Sequence, residues 1–199
     1  MKINKLIKIM ERLRDPKNGC PWDKKQTMES IIPHSIEEVY EVAEQVYLKN
    51  YDKLKEELGD LLFQVVYLSQ IASEKNKFNF SDVVDSISSK MILRHPHVFK
   101  GKKFKNIKEF KLWWEKSKNK QKKTILDDIP FTYPAYLEAN KIQKKVASVG
   151  FEYSNDLDAL DKVYEELGEL RKELHAKNKS KIKEELGDLI FATLDVSRK

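Results

Sequence analysis

Nine residues of this chain are written twice. KEELGDLLF, from Lys55 to Phe63, returns as KEELGDLIF, from Lys183 to Phe191, with eight of nine positions identical and 128 positions between the copies. A shift of 128 also sets Glu37, Glu38 and Glu41 on Glu165, Glu166 and Glu169, and Lys53, Glu57 and Asp60 on Lys181, Glu185 and Asp188. Upstream the match continues with a three-residue slip: NGCPWD from Asn18 meets VGFEYS from Val149, so Trp22 corresponds to Tyr153. Internal repetition on this scale restricts the chain to two tandem copies of one supersecondary unit. The division that follows is a first repeat over 1–99, a lysine-rich linker with a helix over 100–130, and a second repeat over 131–199. The second copy has no counterpart to Ser81–Phe99 and is read as incomplete at its C-terminus.

Each unit reads as helical. Leu54, Leu58, Leu61, Leu62, Val65, Val66 and Leu68 follow the spacing of one helix face. Ile36 to Leu48 has the same habit, with Ser35 predicted as its N-cap, and only Asn50 and Tyr51 break the chain before the next helix. So short a break implies an antiparallel helical hairpin. A further helix is expected over Ser81–Leu93, capped by Ser81 and stopped by the HPH at His95–His97. No stretch alternates with period two, so the fold class is all-α. The longest apolar stretch, LLFQVVYLSQIA from Leu61, is 12 residues and holds two glutamines, well short of the ~20 a membrane helix needs. The first 15 residues mix charge with apolar positions, as an amphipathic helix does and a signal peptide does not. With Cys20 the only cysteine no internal disulfide can form, and a reducing cytoplasm is the expected compartment.

The net charge of +6 is unevenly placed. Lys100 to Lys123 holds eleven lysines against Glu109 and Glu115, a local +9, which leaves 27 basic and 30 acidic residues elsewhere, a net −3. Lysines interleaved with Phe104, Phe110, Trp113 and Trp114 fit either a nucleic-acid track or a solvated connecting helix, the commoner use of such a run.

The chemistry concentrates in the acids. Glu38 and Glu41 lie three apart on one helix and Glu57 and Asp60 three apart on the next, so each pair shares a face. The second pair borders the apolar stripe and therefore the seam of the hairpin. Four carboxylates gathered there repel one another and raise each other's pKa unless cations occupy the gap. Oxygen-only ligands select a hard ion, Mg²⁺ first and Mn²⁺ as substitute. A single such pair is ordinarily a surface solubiliser. Here the pattern recurs with 19 residues from Glu38 to Glu57 and 19 again from Glu166 to Glu185, although duplication by itself preserves packing as well as ligands. Gly59, Gly168 and Gly187 sit within these helices at ~1 kcal/mol each relative to alanine, which suits close approach of a helix or a ligand. Lys90 and Arg94, four apart, form either a phosphate grip or a solvated face. Trp22 is either a base-stacking ring or a buried anchor. None of the four histidines falls in a Glu-x-x-His pattern, which disfavours a di-iron bundle.

RLRDPKNGCPWDKKQT, EEVYEVAE, ELGDLLFQVVY and RHPHVF closely resemble the first repeat of the MazG nucleoside triphosphate pyrophosphohydrolases. LDDIP, KIQKKVASVGFEY, DKVYEELGEL and EELGDLIFATLDVSRK resemble the second. The resemblance spans essentially the whole chain. It implies tandem helical hairpins, four-helix bundles completed by homodimerisation, and Mg²⁺-dependent conversion of a nucleoside triphosphate such as ATP to the monophosphate and pyrophosphate by attack of activated water on the α-phosphorus. Carried over by position, it implies metal ligands at Glu166, Glu169, Glu185 and Asp188 with nucleotide contacts at Lys162 and Lys181. The first-repeat equivalents are Glu38, Glu41, Glu57 and Asp60, with Lys53, Lys90 and Arg94 for the nucleotide. Apart from the resemblance, Trp22 is a candidate to stack on the base, and proximity makes Glu37 or Glu41 the candidate to orient or deprotonate the water. Because the second repeat stops short, the first is expected to be the complete catalytic site. Two other functions fit the residues: a nucleotide-binding regulator with a decayed site, and a nucleic-acid-associated scaffold using Lys100–Lys123.

Overall fold

The computed structural model describes residues 2–118 and 124–198. Of the lysine-rich segment, Lys120, Lys122 and Lys123 lie outside the described residues, as do the side chains of Glu115, Lys116 and Lys118. Helices account for all the regular structure, with no strand among the described residues. The chain divides into two compact units, Met1–Lys105 and Asn106–Lys199.

The first unit contains α1 (Lys2–Leu13), α2 (Met28–Leu48), α3 (Tyr51–Glu74), α4 (Phe80–Arg94) and a single turn α5 (Pro96–Phe99). α2 is capped eight residues before the expected Ser35. The cap is Thr27, whose hydroxyl accepts the Ser30 N–H at 3.3 Å while the Ser30 hydroxyl accepts the Thr27 N–H at 2.9 Å, a capping box. Pro33 is carried inside the second turn, where it forfeits one hydrogen bond without ending the helix. Ser35 instead donates back to the Ile31 carbonyl at 3.1 Å. Likewise α4 is capped by Asn79, which accepts from Ser81 and Asp82, and not by Ser81. His95 does close that helix, as expected.

The break between α2 and α3 falls at Lys49–Asn50, one residue earlier than the spacing suggests. Lys49 adopts the left-handed conformation at φ 55°, the Asn50 N–H reaches back to the Gln45 carbonyl at 3.0 Å, and the Asn50 side chain accepts the Lys53 N–H at 3.2 Å. One asparagine thus closes one helix and opens the next. Met10, Ile31, Val66, Tyr67 and Ile71 form the buried core, with Leu6, Phe63 and Phe80 against it. Beyond the core, Arg14 ties the connection from α1 to α2 to the end of α3. Its guanidinium donates twice to Glu74, at 2.8 and 2.7 Å, and also to the carbonyls of Asp23 and Gln26. Tyr67 adds a hydroxyl donation to the Asp23 carboxylate at 2.9 Å. In the same connection a side chain at Gly19 would collide with the carbonyls of Leu13 and Asp15.

The second unit contains α6 (Ile107–Lys118), α7 (Ala135–Ala147), α8 (Asp156–Ala176) and α9 (Lys179–Arg198). Its hairpin turn repeats the first one: Lys177 is left-handed at φ 55°, the Asn178 N–H bonds the Glu173 carbonyl at 3.3 Å, and the Asn178 side chain accepts the Lys181 N–H at 3.4 Å. α7 packs on α9 through Gln143, whose Nε2 donates to the Phe191 carbonyl at 2.7 Å. Arg198 ties α9 to the loop before α8, donating to Asp195 at 2.8 Å and to Glu152 at 3.0 Å.

Candidate functional site

Because both hairpins turn at the same register, both bring the same acids together. In the first unit a carboxylate oxygen from each of Glu38, Glu57 and Asp60 lies within 4.8 Å of the other two. In the second, Glu166, Glu185 and Asp188 do the same. Ligands on opposite sides of Mg²⁺ stand roughly 4 Å apart, twice a ~2.1 Å bond, so either triad needs only a small closure to hold such an ion. The donor set is all oxygen and fits a hard divalent cation.

The electrostatics agree with that fit. Glu38 is held above the ordinary carboxylate range, first by partial burial and then by repulsion from Asp60 and Glu41, against a hydrogen bond from Gln64 that lowers it. Desolvation also raises Glu57, with Glu41 and Asp60 adding repulsion. Glu185 is raised by desolvation and by Glu169. A cation between the acids relieves each of these costs. Glu41 and Glu169 therefore stand at the edges of the two triads, and Glu169 also meets Glu165 and Glu166 in a third acidic group.

The two sites differ in what holds their central glutamate. Gln64 donates to Glu38 at 3.3 Å. Lys162 reaches both Glu165 at 2.8 Å and Glu166 at 2.7 Å, and these contacts raise its own pKa. The place of Lys162 in the first unit is taken by His34, whose Nδ1 lies 3.8 Å from Glu37. Trp22 is half-exposed and meets His34 edge-on, ring centroids 6.0 Å apart, so it is not a core anchor. Lys53 lies close enough to Glu57 to stabilise its charge. Lys181 pairs with Glu184 at 3.2 Å. Lys90 is exposed and lines a shallow cleft with Phe78, Asp82, Val83, Ser86 and Ile87, which includes no member of the Glu38–Glu57–Asp60 triad. Arg94 is half-buried at the end of the same helix.

Open space surrounds the position a side chain would take at Gly59, Gly168 and Gly187. The close approach expected there is not made by any group within the described residues. Sequence reasoning missed Gln64, Gln143, Asp195 and Arg198. The available signal for Gln64 was a lone amide inside an otherwise apolar helix stripe.

Comparison with known proteins agrees with these paired acidic hairpins. A family model described as the MazG nucleotide pyrophosphohydrolase domain matches residues 26–99 and 155–199. The chain belongs to the MazG family. A nucleoside triphosphate pyrophosphohydrolase of Escherichia coli (strain K12) is 45% identical, with 98% of this chain and 77% of the relative aligned. A Thermotoga maritima protein named nucleoside triphosphate pyrophosphohydrolase/pyrophosphatase MazG is 42% identical over 97% of this chain and 74% of its own. Among solved structures, that of a mazG-related protein from Thermotoga maritima superimposes with a TM-score of 0.50 and 28% identity, covering 59% of this chain and 99% of the other. The family's all-α architecture is the one seen in both units.

Proposed function

We propose that the chain is a Mg²⁺-dependent nucleoside triphosphate pyrophosphohydrolase, converting a triphosphate and water to the monophosphate and pyrophosphate. The observation that carries this reading is the convergence of Glu38, Glu57 and Asp60, and again of Glu166, Glu185 and Asp188, on points where three carboxylate oxygens meet. Bound among them, Mg²⁺ offsets the negative charge of a triphosphate and acidifies nearby water. The chain's own residues supply the remainder. Water oxygen adds to the α-phosphorus, the bond from that phosphorus to the oxygen bridging toward the β-phosphorus breaks, and pyrophosphate departs. The proton released from water passes to a carboxylate at the triad's edge, Glu41 or Glu37 in the first unit and Glu169 or Glu165 in the second. Lys53 and Lys181, at the first turn of α3 and α9, and Lys90 and Arg94 on α4 offer positive charge to the phosphates.

A homodimer suits the surface. Val39, Tyr40, Val46, Tyr47, Leu58 and Leu62 on the α2–α3 hairpin are exposed, an apolar face of the kind that marks an interface. Packing two hairpins face to face builds a four-helix bundle.

The test is pyrophosphate release from a panel of nucleoside triphosphates with Mg²⁺, for the wild type, Glu57→Gln, Glu185→Gln and the double variant. Loss in one single variant assigns turnover to that unit, and loss only in the double variant assigns it to both. Undiminished release by the double variant rejects the proposed sites.

A further inference from the structure

The two units share a hairpin but differ at three positions that face its packing helix. A step of 128 along the long acidic helix takes Gln64 to Ala192 and Tyr67 to Asp195, and on the helix packed against it a step of 133, two residues more than at the NGCPWD stretch, sets Lys8-Ile9-Met10 on Lys141-Ile142-Gln143. In the first unit Met10 and Tyr67 are fully buried in the core, and Gln64 donates through Nε2 to Glu38 while its Oε1 is buried without a partner among the described residues. In the second unit Gln143, Ala192 and Asp195 instead line a cavity of about 480 Å³. That volume falls within the roughly 300–1,000 Å³ of small-molecule sites. One end of the cavity is formed by Lys162, Glu166 and Asp188, so it opens onto the acidic triad.

The cavity has the chemistry of a ligand chamber and not of a packing fault. A void left by poor packing is lined by apolar groups. Here Gln143 is 3% exposed, its Nε2 is committed to the Phe191 carbonyl, and its Oε1 has no partner among the described residues. A buried acceptor left without a donor is destabilising, so its presence in the wall calls for a donor from outside. Asp195, 8% exposed, accepts from Arg198 through Oδ1. The wall therefore offers acceptors beside the ring of Phe191, the combination that holds a planar heterocycle bearing N–H donors.

We propose that this chamber takes the nucleoside of the triphosphate whose phosphates meet the Glu166–Asp188 end, and that Ala192 and Gln143 determine which nucleosides enter. Ala192 sets the room, and Gln143 reads the base through its free carbonyl oxygen. In the first unit the corresponding positions carry the larger, buried side chains of Met10, Gln64 and Tyr67, which on this proposal leaves that unit able to hold cation and phosphate but no nucleoside at this place. The inference rests on the hydrolase reading above and deepens it.

The test copies the first unit into the second, in the full chain with Glu57→Gln to silence the first triad. Ala192→Gln and Gln143→Met are each measured for Mn²⁺ binding, for thermal melting and for calorimetric binding of α,β-methylene analogues of the four ribonucleoside triphosphates. Ala192→Gln is expected to weaken every analogue about tenfold or more. Gln143→Met is expected to weaken the preferred analogue about three- to tenfold, the cost of one hydrogen bond, and to flatten the preference among bases. Mn²⁺ affinity stays within twofold in both. Unchanged analogue affinities in both variants overturn the chamber. Should Ala192→Gln fail to fold, Gln143→Met decides alone. A wild type that releases no pyrophosphate yet binds analogues in this Gln143-dependent way defeats the hydrolase reading and leaves the chamber standing. Vigorous turnover with affinities indifferent to both substitutions does the reverse.

Discussion

Arg14→Met removes the cross-link that holds the Trp22 loop to the end of α3. The Arg14 side chain is 6% exposed and Glu74's is 36%. The substitution deletes two charge-assisted bonds to Glu74 and two donations to the carbonyls of Asp23 and Gln26. Breaking a buried pair from one side costs about 3–5 kcal/mol. Glu74 retains access to water, which lowers the expected loss to about 2–3 kcal/mol. For a unit of roughly 100 residues this is a fall in Tm of about 10 °C or more. Differential scanning calorimetry of wild type and variant reads it directly. The pH dependence supplies an independent check. Arg14 holds Glu74 below its ordinary 4.5, so the pair's contribution is complete above pH 4.5 and is lost as pH falls through the lower, folded value. The gap between wild type and variant is thus constant from pH 8 to about 5 and narrows further into acid. A gap under about 0.5 kcal/mol, or one that persists undiminished at pH 2, refutes the assignment. Double substitution with Glu74→Leu is expected to recover part of the loss.

Three further outcomes follow from the geometry. In EDTA at pH 7, Glu57→Gln raises the Tm, because the raised pKa of Glu57 marks a carboxylate whose charge the fold disfavours, and it diminishes the stabilisation that Mg²⁺ gives the wild type. Equal Mg²⁺-induced shifts in the two proteins would contradict the ligand role. Gly59→Ala adds up to about 1 kcal/mol of helix stability, since beyond its own helix backbone and chain neighbours no atom of the described residues lies within 4 Å of the new methyl group, as chemical denaturation of the chain at low concentration would read. A destabilised variant there would mean that the face is covered. Lys177→Gly relieves the left-handed strain at φ 55° and raises stability by about 0.5–1 kcal/mol; a loss in urea titration argues that the lysine side chain matters more than its backbone.

The hairpins and their acids were legible because two periodicities coincide in the sequence. A 3.6-residue apolar stripe sets the faces, and the 128-residue repeat shows which polar residues travel with them. Helix starts were less legible. Ser35 was the expected cap, yet Pro33 before it is tolerated in the second turn at the loss of one bond, so the helix extends back to the Thr27–Ser30 box. Asn79 displaced Ser81 because its side chain reaches two N–H groups. The cross-links from Arg14 and Arg198 join residues 60 and 46 positions apart, a distance over which no local pattern carries information. The difference between Gln64 and Ala192 was visible as letters, but its meaning required knowing that both face the packing helix.

The paired turns at Lys49–Asn50 and Lys177–Asn178 act as a vernier. Adding or deleting one residue there would rotate the downstream helix by about 100° and swing its carboxylates away from their partners while leaving hydrophobicity, charge and helix content unaltered. Variation in the length of this turn should therefore be far less tolerated than variation in its letters, and an indel at either place would pull one triad apart without touching a single acid.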